Sequence, residues 1–468
     1  MLVRITIEHW IFNKGAIIMK VTQFETTKDF FLRPYELKPT GGKMSGVDVI
    51  EVAEIPNERA FEGFGVAVTG SSCYNLNLMS AEERNAFLND IYSEDGLGLS
   101  VCRLSVGSSD YSAELYTYDD EDSDPDLEQF SVARDDEYIV PMIKEVLKVR
   151  PDMYVFASPW SPPGWMKTGG SICGGYMRER FIDCYADYII RFVEEYDKRG
   201  IKISALTAQN ETETEQSGKM PACIWHPDIE AKFIVALKKK LREKGIDTKV
   251  WMHDHNFSSW RKVLWQLGEY PELQEYCDGV AFHYYDGAPE DIENVRLKYP
   301  SLEYHFTEGG PRLYDNYATD WCKWGMVISK ALKQGCTTFT GWNLMLDEAG
   351  GPNIGPFFCG GLATRNSLSG ELSYSGQYRA FGHFSKYVKR GAKIFAAETS
   401  RKGNGLFSFP NMPKSIEVCA ASNPDGTFVL VVTNPNNEKR QLQYYKFGKW
   451  WYIEALPNSV STIIFEND

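Results

Sequence analysis

Two glutamates stand where carboxylate chemistry would be placed. Glu211 ends the run ISALTAQNE, and Glu308 ends LEYHFTE. Both runs are short, rich in β-branched or aromatic residues, and give way at once to polar or Gly-rich sequence. Each glutamate is therefore expected as the last residue of a buried strand. Two carboxyls held ~5–5.5 Å apart cleave a glycosidic bond with retention, one as nucleophile and the other as acid/base. Ionised Glu308 is expected to raise the pKa of Glu211, because neighbouring like charges disfavour each other. Any single glutamate among 64 acidic residues is far more often a solvated surface group. This pair is set apart by the residues around each and by the number of strands between them.

Other run ends carry groups suited to a sugar. Asn210 precedes Glu211 and can hydrogen-bond a hydroxyl. Asp110, in GSSDYS, can accept from two hydroxyls. SPWSPPGWMK is stiffened by two prolines and presents Trp160 and Trp165, although Trp165 reads equally as a core plug. GWNLMLDEAGGPN places Trp342 at a rim and Asn353 on a Gly-rich loop. His283 and Tyr285, in FHYYDG, are further candidates for sugar contact. A rival chemistry comes from His253-Asp254-His255-Asn256. His253 and His255 alternate to one face and, with His283, could form a metal-ligand set. The reading adopted gives Asp254 and His255 a supporting, hydrogen-bonding role, with no metal and no cofactor. The sequence has no Gly-rich phosphate loop and no GxSxG elbow.

These groups need elements to hold them. Strand-like runs fall at 61–68, 99–106, 152–160, 202–211, 248–256, 278–285, 302–308 and 337–344, mostly separated by helix-length segments. One such segment, IEAKFIVALKKKLRE, puts Ile229, Phe233, Leu237 and Leu241 on one face and lysines on the other. This alternation predicts an α/β fold, a (β/α)8 barrel over 55–387 with catalytic groups at the C-terminal ends of its strands. From 388 to 468, short β-rich runs alternate with turns such as Asn423-Pro-Asp-Gly, predicting an antiparallel β-sandwich. Residues 20–54 are expected to join it. Residues 1–19 read as an N-terminal extension, since Met19 opens a more natural start.

A net charge of −14 argues against nucleic acid or an anionic membrane as partner. No run approaches the ~18 apolar residues of a membrane span, and the N-terminus lacks a signal-peptide pattern. The ten cysteines show no CxxC spacing and read as reduced thiols. The expectation is a cytoplasmic protein whose partner is a carbohydrate or glycoside.

Taken in order, FEGFGVAVTGSSCYNL, RLSVGSSDYSAELYTYDD, ASPWSPPGWMKTGG, LTAQNE, FHYYDG, TEGG, GWNLMLDEAGGPN and FGHFSKYVKRGAK resemble glycoside hydrolase family 30, the group that includes glucosylceramidases. The resemblance runs from about Phe61 to the C-terminus. It implies a barrel fused to a β-sandwich built from both chain ends, with Glu211 as acid/base and Glu308 as nucleophile. It also implies that Asp110, Trp160, Asn210 and Trp342 hold a glucosyl unit, with Tyr285 and Asn353 near the sugar or its entrance. Two departures fall on the aglycone side: Thr212 where the family usually has Pro, and Gly309-Gly310 in place of a bulkier pair. The family also contains β-xylosidases, β-fucosidases and β-1,6-glucanases. A non-catalytic sugar-binding relative would normally lose one of the two carboxylates, and this chain keeps both candidates.

Overall fold

The structure is a computed structural model that describes residues 20–121, 123–400 and 414–466; the extension expected over 1–19 lies outside the described residues. Eight parallel strands close into a barrel: β1 (Gly63–Ala67), β2 (Val101–Val106), β3 (Tyr154–Pro159), β4 (Ala205–Thr207), β5 (Lys249–Asn256), β6 (Gly279–His283), β7 (Glu303–Glu308) and β8 (Cys336–Gly341). Strands covered by helices on one side and filled on the other carry nearly continuous apolar runs, as in the fully buried GVAFH of β6. Inside the barrel, Val101, Phe156, Ala205, Trp251 and Ala281 pack together, the two alanines leaving room for the indole. Gly65 is required where β1 passes β2, because a Cβ there would lie 2.0 Å from the Val101 carbonyl oxygen.

Among the outer helices, α1 (Pro227–Glu243) begins with Pro in its first turn and buries Ile229, Phe233, Leu237 and Leu241, the face that the sequence periodicity indicates. Each such side chain contributes about 1.5–3 kcal/mol when withdrawn from water. The others used below are α2 (Trp260–Glu269), α3 (Trp321–Lys333) and α4 (Gly376–Phe384).

The chain ends form a separate ten-stranded sheet. Lys20–Thr26 runs antiparallel to Ser459–Glu466, from Lys20 opposite Glu466 to Thr26 opposite Val460. The sheet is antiparallel except where Asp48–Val52 meets Arg440–Lys446. It curls on itself, so that Val21, Ile50, Leu430, Trp451 and Phe465 share one core. His383 of α4 joins this sheet to the barrel: its Nδ1 lies 2.9 Å from Thr462 Oγ1 and its Nε2 2.7 Å from Thr26 Oγ1.

Two local details depart from expectation. Strand β4 stops at Thr207, so Glu211 lies four residues beyond it, in a turn with φ of 52°. In β5, His253 and Asp254 have φ of 76° and 45°, and pairing with β6 passes from His253 to His255, leaving Asp254 as an inserted residue. This β-bulge re-aims the side chains around it. Simple alternation therefore fails for His253 and His255.

Candidate active site

A cavity of about 470 Å³ opens at the C-terminal ends of the barrel strands, lined by Asp110, Trp160, Asn210, Glu211, Tyr285, Glu308 and Trp342 among others. That volume falls in the usual range for small-molecule sites. Its floor is organised by Arg103, the third residue of β2, which is completely buried. An arginine in the middle of a buried strand must find counter-charges, because an unpaired buried charge is prohibitively unfavourable. Its guanidinium is paired with Glu308 and donates to Asp254 at 2.9 Å, Asn210 at 2.8 Å and Ser158 at 3.2 Å. The same group lies 4.9 Å from the Trp160 ring centre and 5.3 Å from that of Trp342, cation–π contacts. The two indoles stack on each other at 5.3 Å.

Glu308, on the last residue of β7, also accepts a hydrogen bond from Tyr285 Oη at 2.8 Å. Burial and the charge of Glu308 hold the Tyr285 hydroxyl pKa well up, so it remains a donor. Asp254, turned inward by the bulge, accepts from Arg103, Ser158, Thr207, Thr307 and His283. Burial opposes its ionisation, but Arg103 and His283 outweigh that and hold its pKa well below the usual carboxylate range.

Glu211 reaches the cavity from its left-handed turn, its N–H donating to the Asp254 carbonyl at 2.9 Å. His283 Nδ1 lies 3.3 Å from Glu211 Oε1, while its Nε2 lies 2.9 Å from Asp254 and 3.9 Å from Glu308. Burial favours a neutral imidazole, yet these carboxylates push its pKa up to about 9, so it is cationic at neutral pH. That charge corrects the expectation for Glu211. Burial does raise its pKa, but the His283 hydrogen bond, the nearby His255 and His283 charges, and the Gln216 amide at 2.7 Å reverse the sign and bring it down. Asp110 has the opposite balance. It is buried near Glu308 and Glu211, its Oδ1 has no partner, and its pKa is pushed well up. A hydroxyl group would satisfy that oxygen.

Several expected roles move. His283 was expected to touch sugar but has no exposed surface and sits behind the two glutamates as their bridge. Asn353 was expected near the sugar, but it turns into its own loop, donating to the Phe357 carbonyl and accepting from the Gly355 N–H. Phe357 and Phe358 of that loop line the cavity instead. Trp165 packs edge-on to Phe181 at 5.2 Å and donates to the Asp119 carbonyl, serving as a plug. His255 faces Glu211 at 3.8 Å, whereas His253 turns away, its Nε2 3.1 Å from the Asn256 carbonyl oxygen. The trio that converges is Glu211, His255 and His283 rather than the two β5 histidines with His283.

Arg103 and Gln216 escaped the sequence reading. For Arg103 a signal existed: a lone cation inside VCRLSV. For Gln216, in the polar run ETETEQSG, none did. Among the described residues, no helix is long and apolar enough to cross a membrane.

The glycosyl hydrolase family 30 TIM-barrel domain matches residues 61–388. An endo-1,6-β-D-glucanase of Neurospora crassa is 28% identical over 424 residues, covering 86% of this chain and 85% of that protein. The lysosomal acid glucosylceramidase of Mus musculus is also 28% identical, covering 81% and 75%. Among solved structures, an endo-β1,6-glucanase superposes with a TM-score of 0.83 at 27% identity, covering 96% of this chain and 99% of that one. SrfJ from Salmonella typhimurium superposes at 0.87 with 26% identity, covering 96% and 100%. With its barrel, its terminal sheet and a match across the whole catalytic region, this chain belongs to glycosyl hydrolase family 30.

Proposed function

We propose that the protein hydrolyses β-glucosidic bonds with retention, Glu308 acting as nucleophile and Glu211 as acid/base. The observation that carries this reading is the different partners that hold two carboxylates around one cavity, each at both of its oxygens. Glu308, on the last residue of β7, is paired with the permanently charged Arg103 and accepts from Tyr285, which suits an ionised group aimed at one atom. Glu211 lies on a turn beyond its strand and is held by the titratable His283 and the neutral Gln216 amide, which suits a group that must gain and lose a proton. In this scheme Glu308 attacks the anomeric carbon while Glu211 protonates the departing oxygen. Glu211 then takes a proton from water, the water oxygen bonds to the anomeric carbon, and Glu308 leaves as a carboxylate paired again with Arg103. A bound sugar that displaces water around Glu211 pushes its pKa back up, toward the acid form. Asp110 and Asn210 provide hydroxyl contacts, and the indole edges of Trp160 and Trp342 bound the ring.

A second observation bears on the leaving group. The cavity mouth mixes exposed Tyr314, Phe357 and Phe358 with Thr214, Gln216, Asn256 and Arg312. Aromatic faces interleaved with polar groups suit a hydroxylated sugar better than a long alkyl chain. This favours a β-1,6-linked glucan over glucosylceramide as natural substrate. Ten unpaired cysteines, eight of them buried, support the reading of a reducing, cytoplasmic setting.

The decisive measurement is proton NMR of early products from a nitrophenyl β-glucoside. The β-anomer of glucose is expected first. The α-anomer appearing first would replace the covalent scheme with direct displacement by water. Parallel rates on β-1,6-gluco-oligosaccharides and on glucosylceramide then separate the two leaving groups.

A further inference from the structure

Behind Glu211 lies a second row of groups that never meets the cavity floor. Thr212 is completely buried, and its Oγ1 accepts a hydrogen bond from Lys262 Nζ of α2 at 2.7 Å. The Lys262 side chain is only 13% exposed, and its Nζ lies 3.8 Å from Glu230 Oε2 of α1, a carboxylate with no exposed surface. The other Glu230 oxygen accepts the His253 N–H at 2.8 Å, and Gln266 of α2 donates to Oε2 at 3.0 Å. One buried ion pair thus ties two outer helices to the bulge of β5 and to the residue after Glu211.

The backbone there needs such a tie. Glu211 adopts φ of 52° and its anchor Asp254 φ of 45°, conformations that side chains other than Gly rarely adopt and that persist only when the surroundings enforce them. Glu211 donates its N–H to the Asp254 carbonyl, and Thr212 accepts the Trp225 N–H at 3.0 Å. Those contacts hold the backbone on both sides of the Glu211–Thr212 peptide, and the Lys262 bond adds a side-chain anchor at Thr212. A displacement of about 1 Å at a reacting group is enough to cost about a hundredfold in rate.

We propose that Lys262, acting through Thr212, is a positioning residue that holds Glu211 in register with the leaving-group oxygen. The inference rests on the acid/base role assigned to Glu211. Lys262 touches neither substrate nor reacting atoms. Its effect falls on proton delivery and not on attack by Glu308, which is anchored separately through Arg103 and Tyr285.

The test compares kcat/KM for a dinitrophenyl β-glucoside, whose leaving group needs no proton, with that for an alkyl β-glucoside, whose leaving group does. Thr212→Val removes the hydroxyl at constant volume, and Lys262→Met keeps the stem but not the charge. Each is expected to lower the alkyl value about tenfold or more while leaving the dinitrophenyl value within about twofold. The double variant should be no worse than either single one, and Thr212→Ser should restore the alkyl value. Glu211→Gln serves as reference and should show the same selectivity more strongly. Equal losses on both substrates, or additive losses in the double variant, would reduce the Lys262–Thr212 pair to a structural contact. If Glu211→Gln were selective while Thr212→Val was not, this inference would fail and the acid/base assignment would stand. A Glu211→Gln variant without selectivity would remove both.

Discussion

His283 at the barrel mouth and His383 at the joint with the terminal sheet are both completely buried, and burial alone pushes each toward the neutral form. Their neighbours send them apart. His283 lies among Asp254, Glu211 and Glu308 and is pushed up to about 9. His383 lies between the hydroxyls of Thr26 and Thr462, and burial pushes it down to about 3. The first is a cation that makes it possible for three carboxylates to crowd one end of the barrel. The second is a neutral bridge whose two nitrogens, one donor and one acceptor, stitch two domains. Equal depth in the protein thus says nothing about charge; the partners within hydrogen-bonding reach decide it.

The largest expected effect lies on the charged side of this contrast. Glu308→Ala should abolish turnover of every ordinary glycoside, with azide giving the α-glycosyl azide. Glu211→Ala should slow glycosyl-enzyme formation ~10²–10⁴-fold with poor leaving groups while sparing it with activated ones, for which azide should restore the turnover lost at the water step and give a β-glycosyl azide. Product stereochemistry by NMR checks both, and the reverse pattern would exchange the two roles.

The neutral side is read in stability. Because the folded pKa of His383 lies below the ordinary value of 6.5, the unfolded chain binds the extra proton between about 3 and 6.5. Its contribution is complete above that window and is lost as pH falls through it, by about 1.4 kcal/mol per pH unit. Urea unfolding of the protein and of His383→Asn across pH 4–7 should show a shallower slope in the variant. Identical slopes would mean that protonation of His383 is tolerated at the joint.

A smaller shift is expected when the cation is removed at the mouth. His283→Gln withdraws the positive charge that lowers the Glu211 pKa, so that pKa rises and Glu211 keeps its proton to higher pH. The basic limb of the kcat/KM profile should then move up by roughly 1–3 units. A downward move would show that His283 supplies the proton itself. The smallest effect expected is none: exhaustive treatment with EDTA should leave activity intact, and loss restored by zinc would turn Glu211, His255 and His283 into ligands.

Much of the plan could be read from the chain because it is written in local pattern. Eight apolar runs, an i, i+4 apolar face on α1, and paired turn signals in the last quarter each follow from the periodicity of the element they form. Glu308 at the end of β7 and Trp160 just beyond β3 follow from the same rule, since what ends a strand of a parallel barrel reaches its mouth.

What only the tertiary structure decided involves residues far apart in sequence or backbone that breaks its own period. Arg103 meets Glu308 across 205 positions and Asp254 across 151, and no local pattern names such partners. The bulge at His253 and Asp254 upsets strict alternation, so it sends Asp254 to the barrel axis and parts the two histidines. Asn353 turns inward because its own loop offers a carbonyl and an N–H that satisfy its amide. The sign of the pKa shift at Glu211 depends on His283, 72 positions away, arriving between two carboxylates. Sequence determines which groups reach the mouth of this barrel, because strand order and strand ends are local properties. Charge state and orientation there depend on summed fields and on hydrogen bonds across the barrel, which exist only once it has closed.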